Sequence, residues 1–472
     1  MQVISNMRTI NFFVLLFISF PSFSQEIKTK LSTAFAALEK DEQFEHASLG
    51  FYVVNSKTGA VVFDKNAQVG LVPASTQKII TSATSFAVLK QEFTYPTTII
   101  FSGVRDKTTF TGDFKIVGFG DPTLGSWRWK ETDGKRFLAK VADSLKKQNI
   151  LTLNGSITTN WQSFETQSIP NGWMWEDIGN YYGAGAHGIN WHENNYSLFL
   201  QPGKDLGDTA TINRTIPDLN AASFINEITT AKQGTGDNTI IYLPENGNHI
   251  YLRGTIPQGK EFVIKGSMAA PLNVFIDEMK DELKKRSIVM NSEIGLPRGE
   301  DKSIPGEYTT LVQYVSPTLD SMNYWFLRES INLYGEAFLK TIGLKTSGGF
   351  GSTKEGLDAV IVFWADQGIG RSALKIKDGS GLSPANRVTA NALVSVLQYA
   401  KKQTWFSSFY HSLPLQNNIK MKSGYIGGVR SYAGYVKSKT GDEYTFAFII
   451  NNFDGSPGLV REKMWKILDL LK

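Results

Sequence analysis

The chain has 472 residues, a net charge of +5, 41% hydrophobic and 20% charged residues, and no cysteine. That length exceeds what one core organises and predicts two or three domains. The slight, evenly spread charge argues against a nucleic-acid partner, and without cysteine the fold rests on packing alone.

Phe12 to Phe20 is a short apolar run after Arg8, and Ser22-Phe23-Ser24 reads as a small-residue cleavage site before Gln25. The run is too short to span a bilayer, so residues 1–24 are expected to be a secretory signal peptide. The mature chain is expected in a bacterial periplasm, with at most peripheral membrane contact. Glu26 to Glu39 has the spacing of an amphipathic helix with Leu31, Phe35, Ala36 and Leu38 inward. Two strands follow, Ala47 to Val54 and Ala60 to Phe63, joined by a turn at residues 55–59.

Pro73 then sets up a helix start, and Ile79, Ala83, Phe86 and Leu89 recur at three- and four-residue steps, so Ser75 should open a buried helix with Lys78 on its own face. A serine hydroxyl is a poor nucleophile until a base takes its proton, and a desolvated lysine one turn away is such a base. The unpaired N–H groups at the helix start suit an oxyanion hole. This is the content of an S-x-x-K motif. Ser144 with Lys147 and Ser372 with Lys375 match the same spacing, so the pattern alone does not single out Ser75.

From about Tyr95 to Arg298 the texture turns to short β-rich segments with frequent Gly, Asn and Thr. We read it as a large insertion, with a further one nested inside it. Six of the ten tryptophans lie there, namely Trp127, Trp129, Trp161, Trp173, Trp175 and Trp191. They serve either as cores of small β subdomains or as a stacking platform for sugars or peptide, the first being the simpler reading. The expected division has residues 25–95 as the opening segment of a catalytic domain, 96–300 as the inserted region and 301–472 as the segment that completes the catalytic domain.

In the last third, Asn323 to Leu339 and Gly356 to Gln367 read as helices, Ile419 to Lys422, Tyr432 to Lys437 and Tyr444 to Ile450 as antiparallel strands, and Val460 to Leu471 as a closing helix. Packed on the opening helix and hairpin, these make a sheet with helices on its faces. Ser321-Met322-Asn323, just before a helix, can aim a hydroxyl and an amide into one cleft. Ser330-Ile331-Asn332, inside the predicted helix, would split its pair between two faces, so Ser321 and Asn323 are preferred. A substrate carboxylate calls for a cation and a hydroxyl at a strand edge. Lys57-Thr58-Gly59 and Lys439-Thr440-Gly441 lie in predicted turns, whereas Lys422-Ser423-Gly424 ends a strand where glycine admits a close backbone, and we choose the last.

S-x-x-K, S-x-N and K-S-G in this order, with a long β-rich insertion between the first two, resemble the class C low-molecular-mass penicillin-binding proteins. These are D-alanyl-D-alanine carboxypeptidases and endopeptidases of the bacterial envelope. The stretches Gly118-Phe119-Gly120-Asp121-Pro122-Thr123-Leu124, Asp378-Gly379-Ser380-Gly381-Leu382-Ser383, and Trp173-Met174-Trp175-Glu176-Asp177 with Tyr181-Tyr182-Gly183-Ala184 carry the likeness further. It implies an α/β (α+β) fold: a serine β-lactamase/penicillin-binding transpeptidase-like domain, helices flanking an antiparallel sheet, plus β-rich inserted domains.

The resemblance also implies roles. Ser75 would be the nucleophile and Lys78 its base; Ser321 would relay a proton to the leaving amine and Asn323 would hold Lys78 and the substrate amide. Lys422 would supply positive potential, Ser423 would bind the terminal carboxylate beside Gly424, and the N–H groups of Ser75 and Tyr425 would form the oxyanion hole. Asp177 would contact the free amine of a diaminopimelate side chain. The expected partners are peptidoglycan stem peptides, with β-lactams as covalent inhibitors, and no metal or cofactor is required. Two positions depart from the family pattern: Met322 stands where Asp is frequent, and Pro384 where an arginine often follows G-L-S. The readings set against this one are a class A β-lactamase, for which no Glu-containing loop is identified, and a peptidoglycan-binding scaffold without turnover. His187 and His192, five apart, belong to no ligand-spaced cluster, and no G-x-S-x-G surrounds any serine.

Overall fold

The computed structural model describes residues 23–159, 163–220, 222–245, 247–295, 308–349 and 351–472. The apolar run Phe12 to Phe20, Trp161 and Arg298 therefore lie outside the described residues. Among those described, no helix is long and apolar enough to cross a membrane.

The organising layer is a six-stranded antiparallel sheet in the order Leu415–Gln416, Ile419–Ile426, Val429–Lys437, Glu443–Asn451, Ser48–Asn55, Val61–Lys65. Its strands are apolar on both sides because both sides are covered. Leu49, Phe51, Val53, Met421, Phe446, Phe448 and Ile450 meet the opening helix Phe23–Glu39 and the closing helix Pro457–Asp469. The alternate residues Tyr52, Val54, Ala433, Ala447 and Ile449 face a larger core with the helix Lys78–Leu89 at its centre. On the opening helix Leu31, Phe35 and Leu38 point inward as expected, but Ala36 is exposed and its place against the core is taken by Ala34.

The inserted region has its own core, built on a five-stranded sheet covered by the helices Gly134–Lys147 and Pro271–Lys285, with two three-stranded sheets beside it. Strand Thr309–Val315 pairs antiparallel with Pro96–Asp106. The insertion thus reaches Val315, past the boundary at 300, because the edge strand that closes its sheet arrives late in the chain. Its tryptophans divide by burial: Trp191 is fully buried and Trp173 nearly so, as cores of small subdomains require, whereas Trp127 and Trp175 are 55% and 57% exposed.

The expected single helix from Asn323 to Leu339 is two helices, Leu319–Arg328 and Asn332–Ser347. Between them Ser330 adopts a left-handed conformation, with φ of 57°. That residue turns the chain and aims the second helix's N-terminus at the helix Lys78–Leu89.

Candidate active site

After the short strand Gly70–Leu71, a single 3₁₀ turn, Ala74–Gln77, leads into the helix Lys78–Leu89. Ser75 is half-buried and opens on a cavity of about 1450 Å³ that Ser330, Asn332 and Tyr425 also line. Lys78, one turn on, is fully buried. Its Nζ donates to Ser75 Oγ at 3.0 Å, to Asn332 Oδ1 at 2.6 Å and to the Ser380 carbonyl at 2.7 Å. An ammonium has three N–H donors, and three acceptors are in place. Burial pulls the lysine down to about 7, against the charges of Asp378 and Glu336, which pull it back up. Near neutrality the amine sheds its proton readily, and its lone pair then faces the serine hydroxyl.

The other two matches to this spacing are surface features: Lys147 and Lys375 are exposed. Burial separates the three stretches, and spacing does not.

The amide on Lys78 and the hydroxyl on Lys422 belong to Asn332 and Ser330, not to Asn323 and Ser321. Asn332 opens its helix with Oδ1 on Lys78 and Nδ2 on the Tyr182 carbonyl at 2.8 Å. Ser330 Oγ accepts from Lys422 Nζ at 3.0 Å. Ser321 instead accepts from Trp129 Nε1 at 2.8 Å, and Asn323 Oδ1 accepts from Ser82 Oγ at 2.7 Å, one turn farther along the same helix than Lys78. The cause is the helix break. A two-residue spacing scatters side chains within a helix, but Ser330 lies outside one and Asn332 starts the next.

Lys422 is buried on the strand Ile419–Ile426, whereas Lys57 and Lys439 are exposed in turns. Its Nζ bridges Ser330 Oγ and the Ser423 carbonyl, the latter at 2.9 Å. Burial, and then the charge of Lys78, hold Lys422 well below the usual lysine range. Gly424 is where glycine is required: a Cβ there would stand 2.6 Å from the Pro73 carbonyl and 2.9 Å from the Ser75 nitrogen. The absent side chain lets the strand pass directly over Ser75. Tyr425, beyond it, is exposed and lines the cavity, while Ser423 Oγ accepts from Gln416 Nε2 at 3.1 Å.

The inserted region contributes a segment that arches over the cavity. Trp173 Nε1 donates to Asp378 Oδ2 at 2.9 Å, and the Gly172 carbonyl accepts from Ser383 Oγ at 2.9 Å. At the segment's far end is the Tyr182 carbonyl already bound to Asn332. Between these ties, Met174, Trp175, Asp177 and Tyr181 belong to the stretch, and Met174, Asp177 and Tyr181 line the cavity. Burial raises the Asp177 carboxyl and the charge of Glu176 raises it further, while a hydrogen bond from Tyr182 lowers it.

Two supports lie behind these groups, one inside a stretch quoted above and one outside every motif. Asp378, fully buried, accepts from Gln77 Nε2, the Gly381 N–H and Asn386 Nδ2 on one oxygen, and from Trp173 Nε1 and the Ser383 N–H on the other. It thereby fixes the turn whose Ser380 carbonyl holds Lys78. Glu336 accepts the Gly379 N–H from beneath the same turn, and burial together with the charge of Asp378 pushes its carboxyl up. Glu336 lies four positions after Asn332, so one helix face carries both, a cue that appears only once the helix start is correctly set.

A family model described as the D-Ala-D-Ala carboxypeptidase 3 (S13) family matches residues 31–469. The chain is 25% identical over 471 residues to a D-alanyl-D-alanine carboxypeptidase of an Actinomadura species, spanning 90% of this chain and 82% of that one. It is 23% identical over 433 residues to the D-alanyl-D-alanine carboxypeptidase DacB of Haemophilus influenzae, spanning 87% and 86%. The crystal structure of penicillin-binding protein 4 from Haemophilus influenzae superposes with a TM-score of 0.77 at 20% identity, over 94% of this chain and 99% of that one. A second structure of that protein, complexed with a β-lactam, superposes with a TM-score of 0.73 at 19% identity, over the same shares of the two chains. The likeness to these two structures is one of fold.

Proposed function

Because the chain belongs to the D-Ala-D-Ala carboxypeptidase 3 (S13) family, we infer that it is a serine D,D-peptidase that cleaves D-Ala-D-Ala peptides through an acyl-enzyme on Ser75. The observation that carries the reading is the placement of Lys78 Nζ between Ser75 Oγ, Asn332 Oδ1 and the Ser380 carbonyl.

In this mechanism, neutral Lys78 takes the Ser75 proton as Oγ attacks the carbonyl of the penultimate D-Ala. The N–H groups of Ser75 and Tyr425 receive the oxyanion, which the bare Gly424 backbone allows to come close. Ser330, held by Lys422, gives its hydroxyl proton to the departing D-Ala nitrogen and regains one from protonated Lys78, the C–N bond breaks, and an ester on Ser75 remains with Lys78 neutral again. Water then hydrolyses the ester and restores the hydroxyl. Asn332 anchors Lys78 throughout, in the role expected of Asn323, and Ser330 replaces Ser321. Lys422 and Ser423 receive the terminal carboxylate of a peptidoglycan stem peptide, and Asp177 receives an amine on its side chain.

β-Lactams are expected to acylate Ser75 by the same attack. The apolar run before residue 25 supports export to the periplasm. The deciding experiment uses Ser75→Ala, which should lose both labelling by fluorescent penicillin and hydrolysis of a D-Ala-D-Ala peptide. Peptide cleavage by that variant at the wild-type rate would refute the mechanism, and rapid wild-type release of hydrolysed penicillin would turn the assignment to a β-lactamase.

A further inference from the structure

Ser423 carries one O–H donor and two acceptor lone pairs, and only the donor is of use to a substrate carboxylate. A serine hydroxyl rotates among three staggered positions, so its hydrogen points at a ligand only if something fixes the rotor. Its backbone neighbour is already committed, since the Ser423 carbonyl accepts from Lys422 Nζ. The hydroxyl itself accepts from Gln416 Nε2 at 3.1 Å, and no acceptor among the described residues takes its hydrogen.

Gln416 is built for this reach. The two-residue strand Leu415–Gln416 joins the strand Ile419–Ile426 through Asn417 and Asn418, both left-handed with φ of 48° and 57°, as a tight hairpin turn requires. Gln416 pairs with Ile419, and Ile419, Met421 and Ser423 alternate onto one face, so the Gln416 side chain emerges on the face that carries Ser423. The covering strand ends at Leu415, and its last tie is the Met421 N–H on the Pro414 carbonyl. From there on no strand among the described residues pairs with the edge that carries Ser423.

We propose that Gln416 is a positioning residue for the substrate's terminal carboxylate: its amide N–H fills a lone pair of Ser423 Oγ and leaves the hydroxyl hydrogen aimed at a carboxylate oxygen. The proposal rests on the acyl-transfer reading above. Its chemistry is specific to a free acid, because a C-terminal amide presents no charge for the aligned hydroxyl and Lys422 to share.

The test compares one peptide ending in D-Ala-D-Ala with its C-terminal amide. Gln416→Ala should lower kcat/KM about five- to tenfold on the free acid, chiefly through KM, and less than twofold on the amide. Gln416→Glu, whose carboxylate takes the Ser423 hydrogen for itself, should deepen the loss on the free acid beyond tenfold. In a Ser423→Ala background, Gln416→Ala should add nothing. Equal losses on both peptides, no loss on either, or an undiminished effect without the Ser423 hydroxyl would each overturn the proposal. Wild-type cleavage of the free acid reports on the acyl-transfer reading by itself, and the ratio between the two peptides reports on Gln416.

Discussion

The same pattern, serine, any residue, asparagine, occurs twice within twelve residues and does two different things. At Ser321 and Asn323 it lies in the first turns of a helix, and both side chains are consumed by structure: one accepts from Trp129 and the other from Ser82. At Ser330 and Asn332 it straddles the gap between two helices, and the side chains meet the buried lysines Lys422 and Lys78. The residue types are identical, so chemistry follows from what the backbone does with them. A left-handed Ser330 lets residues two apart converge, whereas a continuous helix turns them roughly 200° from each other.

The sharpest way to break that comparison is Asn332→Ala against Asn323→Ala. Asn332→Ala removes an acceptor from Lys78 and a donor from the Tyr182 carbonyl, and should slow penicillin acylation on the order of a hundred- to a thousandfold. Asn323→Ala should leave acylation within about threefold of wild type. It should instead lower unfolding stability by about 1–3 kcal/mol, because Ser82 loses a buried partner. If the two variants fell equally in acylation, the assignment of roles would be wrong.

A second pair is smaller. Ser330→Ala should cost about a hundredfold in turnover of a D-Ala-D-Ala peptide, since the leaving nitrogen loses its proton relay while Lys422 loses an acceptor. Its counterpart, Ser321→Ala, is considered last.

The pH profile sharpens the same contrast. Protonated Lys78 cannot take a proton from Ser75, so acylation should drop about tenfold per pH unit below its pKa, which burial has brought down to about 7. Asn332 Oδ1 accepts from the charged form and stabilises it, so Asn332→Ala should move this limb to lower pH, whereas Asn323→Ala should leave it in place. Stopped-flow acylation between pH 5 and 9 reads both. A limb near the ordinary lysine value in the wild type would mean that Lys78 is not the base.

Much of this is legible in the residues, for identifiable reasons. The strands of the main sheet are readable because each is a short, largely apolar run bounded by turn residues, and Lys422 is separable from Lys57 and Lys439 because one lies in a strand and the others in turns. The helix break also leaves a trace that the single-helix reading passes over. The apolar positions Phe326, Ile331, Leu333 and Phe338 advance by five, two and five, a phase slip that one continuous helix does not tolerate. Strand Thr309–Val315 cannot be placed from local pattern, because its partner is Pro96–Asp106, some 200 residues before it. Glu336 and Gln416 are ordinary polar residues until tertiary folding brings Gly379 and Ser423 to them.

The smallest effect expected is that of Ser321→Ala, and its smallness is informative. The substitution takes from Trp129 Nε1 its acceptor at 2.8 Å, at a site only part-buried, where water can replace the hydroxyl. The stability change should be about 0.5–1 kcal/mol and acylation should stay within twofold of wild type. Trp129 and Trp325 pack edge-on with ring centroids 6.4 Å apart, and that contact holds the insertion against the helix after the hydroxyl is gone. A loss in turnover comparable to that of Ser330→Ala, with the melting curve unchanged, would show that this junction reaches the chemistry through the tryptophans, and the division of labour between the two tripeptides would fail.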